Sequence, residues 1–85
     1  MGYSCYVLCS HQVCCVASMI IARYKMTREG LKECSDIASP INILKYVYIE
    51  PDESGDEYLF LLGYQKCALY SLSREDFIFV KEKVT

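Results

Sequence analysis

The chain has 85 residues, 53% of them hydrophobic, and a net charge of −2 with a pI near 5.3. One domain of this length gains only marginal stability from its core, yet the apolar share exceeds the usual globular value, which points to self-association or a protein partner. The nine Lys and Arg are scattered and form no run, so no basic field recruits nucleic acid.

The chain opens on a stretch, Tyr3 to Ala22, whose only titratable side chains besides cysteine and tyrosine is His11. Its length suits a membrane span, but Ser4, Ser10, His11, Gln12 and Ser18 interrupt it. No basic segment precedes it as a secretory signal requires, and Tyr6 stands where a myristoylation pattern wants Ser or Thr. Membrane attachment is therefore not the expectation. Residues 3–9 alternate Tyr3, Cys5, Val7 and Cys9 against Ser4, Tyr6 and Leu8, and read as a strand or as the start of a helix, with strand favoured.

From Ser10, placed as an N-cap, a helix is expected. Val13, Val16, Ala17, Ile20, Ile21 and Tyr24 fall on one stripe of period 3.6. Its outer face, with His11, Cys15, Ser18 and Ala22, lacks long charged groups and looks suited to packing. A second helix is expected over Arg28–Ala38, capped by Thr27, weakened by Gly30 and ended by Ser39-Pro40.

Beyond Pro40 the pattern changes. Four apolar runs, 41–49, 58–64, 66–72 and 77–80, are rich in Tyr, Ile, Val, Leu and Phe and separated by turn chemistry. The first gap, EPDESGDE at 50–57, turns in solvent. Ser73-Arg74-Glu75-Asp76 reads as a capped turn into the last run. The expected fold is α+β in one domain: two N-terminal helices (residues 1–40) packed on a four-stranded antiparallel meander (41–85), with residues 3–9 as an added strand.

Both faces of this meander are apolar, whereas a sheet with one wet face alternates. Two short helices cover one face, leaving Tyr46, Tyr48, Leu59 and Leu61 as a patch for a partner or a second copy. The small-residue face of the first helix is the other candidate surface. The expected function is a non-enzymatic protein–protein interaction or regulatory module that forms a homo-oligomer.

Two alternatives come from other residues. Cysteines at 5, 9, 14 and 15 surround His11, and Cys5, Cys9, His11 and Cys15 form the set a zinc site would use. The spacing lacks the paired knuckles of structural zinc sites. Without a secretion signal, the expectation is six reduced thiols, a cytoplasmic location and no metal or other cofactor. His11 and Cys15 at i, i+4 offer a thiol–imidazole pair, but no third group or oxyanion site accompanies it. The acidic loop is the second alternative. Asp52, Ser54 and Asp56 begin like a calcium loop, which then fails at Glu57 and Gly63. Asp52, Glu53 and Asp56 otherwise suit docking on a basic partner, as in an inhibitor of a nucleic-acid-binding protein.

Overall fold

The computed structural model describes residues 4–7 and 12–82, with side chains from residue 12 onward. The chain divides into two compact units, Met1–Ser39 and Pro40–Thr85.

The first unit is a sheet. Strands β1 (Ser4–Val7), β2 (Gln12–Val16), β3 (Ile20–Thr27) and β4 (Gly30–Glu33) follow one another in order, all antiparallel. The short β5 (Ile37–Ala38) pairs with the start of β3. The described residues contain no helix, which corrects the expectation of two N-terminal helices and of an α+β fold. The physical reason lies in the connections. Ala17 donates its backbone N–H to Ile20 O at 2.9 Å, so the chain reverses at Ser18-Met19, inside the apolar stripe that suggested a helix. Val13, Cys14, Cys15 and Val16 on one side and Ile20, Ile21 and Ala22 on the other then pair as strands, the state that β-branched side chains prefer.

The second expected helix is replaced by the β3–β4 hairpin. Thr27 Oγ1 accepts the Glu29 N–H at 3.2 Å and donates to Gly30 O at 2.8 Å. Gly30 has φ 115, a conformation that costs side-chain-bearing residues dearly. The glycine that would have weakened a helix closes a turn.

Both faces of the β2–β3 ribbon are buried near its centre. Val13, Cys15 and Ala22 cluster with the half-buried Tyr24 on one face, while Cys14, Val16, Ile21 and Arg23 are buried on the other. Arg23 spends its Nε–H on Ser35 O at 3.0 Å, which satisfies a polar group that would otherwise be expensive to bury. Ala22, the outer-face residue of the expected first helix, is therefore not a docking surface.

The second unit is the four-stranded antiparallel meander expected from the sequence, in the order β6 (Lys45–Ile49), β7 (Tyr58–Leu62), β8 (Lys66–Ser71) and β9 (Asp76–Glu82). Register partners on one face are Tyr46↔Leu61↔Ala68↔Val80 and Tyr48↔Leu59↔Tyr70↔Phe77. This face holds the core, with Leu59, Leu61, Ala68 and Tyr70 fully buried. The rings of Tyr70 and Phe77 meet at 4.9 Å between centroids and tie the last strand to its neighbour.

Candidate functional site

The residues nominated from the sequence are partly brought together. Tyr46, Tyr48, Leu59 and Leu61 do share one face of the second sheet, but Leu59 and Leu61 are 0% exposed and the two tyrosines half-buried. That patch is core. The surface patch lies on the opposite face. There the partners run Val47↔Phe60↔Leu69↔Phe79 from one edge of the sheet to the other. Val47 and Phe79 are exposed and Phe60 and Leu69 half-buried, with Ile49, Tyr58 and Leu62 beside them on the same face.

Exposure is concentrated on β9. This strand ends the sheet, pairing only with β8 among the described strands. Ile78, Phe79 and Val80 are 40%, 44% and 50% exposed, and only Phe77 of the strand is even half-buried. A β-bulge interrupts it: Leu69 pairs with Phe79 and Tyr70 with Phe77, leaving Ile78 as the extra residue. An edge strand with a run of exposed apolar residues is the arrangement proteins ordinarily avoid.

The acidic loop between β6 and β7 is more ordered than a string of solvated charges. Asp52 Oδ1 accepts the N–H groups of Ser54 at 2.9 Å and Asp56 at 3.1 Å, and the Asp52 carbonyl accepts Gly55 N–H at 2.9 Å. Asp52 thus builds the loop. Gly55, at φ 82, lies in the left-handed region the turn needs. Glu53 is exposed and Asp56 half-buried. Glu57 behaves differently: it is 2% exposed and accepts a hydrogen bond from Tyr48 Oη at 2.6 Å. Nearby, the Tyr58 phenol is raised above its ordinary value, first by desolvation and then by the negative charges of Asp56 and Asp52, with Arg74 pulling the other way.

Among the cysteines, Cys15 is disulfide-bonded, whereas Cys14, Cys34 and Cys67 carry thiols rather than disulfides. The expectation of six reduced thiols is corrected, and with it goes the support that reduced thiols lent to a cytoplasmic location. The disulfide also removes Cys15 as a thiolate ligand of the alternative zinc set. Cys5 is its backbone register partner, and Cys9 and His11 lie outside the described residues. Among the described residues no group of three or more Cys, His, Asp or Glu is placed to hold a metal.

A shallow open groove of about 280 Å³ lies beside the β7–β8 turn, lined by Asn42, Gly63, Tyr64 and Lys66 among others. Its polar side chains Asn42, Gln65 and Lys66 are exposed and Tyr64 is 82% exposed, which is not the enclosed, mainly apolar setting of a ligand pocket. Among the described residues, no helix is long and apolar enough to cross a membrane. No protein-family model matches the chain, and no curated protein or solved structure is detectably similar to it.

Proposed function

We propose that the chain is a non-enzymatic protein–protein interaction module that self-associates through β9, the exposed edge strand of its second sheet. The observation that carries this reading is the exposure of Ile78, Phe79 and Val80 in consecutive positions on an edge strand. Each is about half covered already, and removing the remaining apolar area from water is favourable, so leaving three of them partly wet in a domain of marginal stability favours any association that covers them. A two-fold homodimer is the commonest arrangement that does so.

The experiment is a charge placed in the exposed run. Phe79→Glu, at a position already 44% exposed, leaves the monomer folded and abolishes association in sedimentation velocity. Association unchanged by Phe79→Glu would refute the assignment to this surface. Val47→Glu, on the opposite edge strand of the same face, serves as the comparison and has the smaller effect.

A further inference from the structure

Resting on that reading, we propose that two copies join by antiparallel pairing of β9 with β9, in the register that sets Asp76 opposite the second copy's Lys81. Three features of the strand lead to it.

The first is charge order. The strand runs Asp76, then Phe77, Ile78, Phe79 and Val80, then Lys81, and closes on Glu82. An acidic residue and a basic residue flank the four apolar ones. Antiparallel pairing about a two-fold axis places this acidic residue of each copy against the basic residue of the other, twice per dimer. Parallel pairing would place like charges side by side, which is destabilising.

The second feature is the bulge. A two-fold axis normal to a sheet keeps each face on its own side, so directly opposed residues must share a face. Residues five apart in a regular strand do not, because side chains alternate. Here they do. Asp76 pairs with Ser71, Phe79 with Leu69 and Lys81 with Cys67, and Ser71, Leu69 and Cys67 alternate on one face of β8. The extra residue Ile78 therefore brings Asp76 and Lys81 onto the same face, and leaves Phe77 and Val80 together on the other. In the proposed register Asp76 meets Lys81 and Phe77 meets Val80, each pair on its own face, with Ile78 and Phe79 at the axis. Glu75, which this register would bring to Glu82, the last residue of β9, precedes the strand at φ 57 and so does not continue the extended ladder past Asp76.

The third feature is the contrast with the other edge. β6 also carries a basic start, Lys45, and an acidic residue just past its end, Glu50. It has no bulge in its register with β7, so alternation sends Lys45 and Glu50 to opposite faces, and the same self-pairing is closed to it. Joined through β9, the two four-stranded sheets become one continuous sheet, and the exposed edge backbone finds partners.

The test uses charge reversal on the full chain, with mass followed by sedimentation across a concentration series and folding followed by circular dichroism. Asp76→Lys and Lys81→Glu each turn two attractive contacts into repulsive ones and are expected to weaken the dimer roughly tenfold or more. The double variant D76K/K81E restores the opposed charges and returns the dimer to within about threefold of wild type. A dimer indifferent to all three variants, yet still broken by Phe79→Glu, would overturn the strand register while leaving self-association through this surface intact. A folded double variant that stays as weak as either single would overturn it too. A wild-type chain that never associates would remove both proposals.

Discussion

Tyr48 donates a 2.6 Å hydrogen bond to the carboxylate of Glu57, a side chain only 2% exposed. The two residues stand on either side of the acidic loop, Tyr48 within β6 and Glu57 immediately before β7. Loop closure and sheet register are thus joined by one buried polar contact, reinforced by the Leu72 N–H donated to Glu57 O at 3.0 Å. Leaving a buried acceptor without its donor costs about 1–3 kcal/mol. Tyr48→Phe removes the donor and keeps the ring, and should cost an amount in that range in urea denaturation. A cost below about 0.5 kcal/mol would show that the contact holds nothing together.

The loop itself separates charge from geometry. Asp52→Asn keeps an oxygen that can accept from Ser54 and Asp56 and should change stability little. Asp52→Ala removes that acceptor and should cost about 1 kcal/mol, as loss of a comparable side-chain cap does. Thermal unfolding of the two variants decides between them. Equal Tm values would mean that Asp52 does not organise the turn.

Tyr58 reports on the same loop electrostatically. Desolvation and the neighbouring Asp56 and Asp52 raise its pKa, so the folded state holds the phenolic proton more tightly than the unfolded chain. Its contribution to stability is in place below the ordinary tyrosine value of about 10 and is lost as pH rises through the folded-state pKa. Asp52→Asn with Asp56→Asn should bring the Tyr58 titration down towards that ordinary value, followed by NMR of ring-labelled tyrosine. Titration unmoved by the double change would assign the whole shift to desolvation.

Gly63 begins the β7–β8 turn, donating its N–H to Lys66 O at 2.8 Å. A Cβ there would stand 2.8 Å from Asn42 O and 3.3 Å from Lys66 O, both backbone atoms. Backbone yields less readily than a flexible side chain, so Gly63→Ala should destabilise by about 1–3 kcal/mol. Gly55→Ala meets no atom within 4 Å, and its cost comes from the φ of 82 alone. Denaturation midpoints that rank Gly63→Ala as harmless would contradict the close approach.

The thiols give a simple count. With Cys15 in a disulfide and six cysteines in the chain, titration of the denatured, unreduced protein should find four thiols, and six after reduction. Six before reduction would return the chain to the fully reduced state.

The meander was legible because its strands are bounded by residues with a single reading. Pro51 and Gly55 mark one turn, Gly63 the next, and Ser73 to Asp76 the last, and the apolar runs between them became β6 to β9. The N-terminal half misled for the opposite reason. Val13, Val16, Ala17, Ile20, Ile21 and Tyr24 fit a helical period, and the reversal at Ser18-Met19 has no Gly, Pro or Asn to announce it. Strand-favouring Val, Ile and Cys in that stretch were the neglected signal. The site was half legible. Apolar residues on both faces of the sheet foretold an exposed patch, but alternation groups residues into faces without choosing which one meets water. Tyr46, Tyr48, Leu59 and Leu61 were grouped correctly and placed on the wrong side of the sheet. The bulge at Ile78, which sets the faces of Asp76 and Lys81, has no sequence mark at all.

The central claim is that the exposed β9 surface joins two copies of the chain. Sedimentation equilibrium of the wild-type protein, from low micromolar to near-millimolar concentration, addresses it most directly. The account predicts a reversible rise from the 9.8 kDa chain mass to twice that value, suppressed by Phe79→Glu. A mass that stays at one chain across the whole range, in a folded protein, would contradict it.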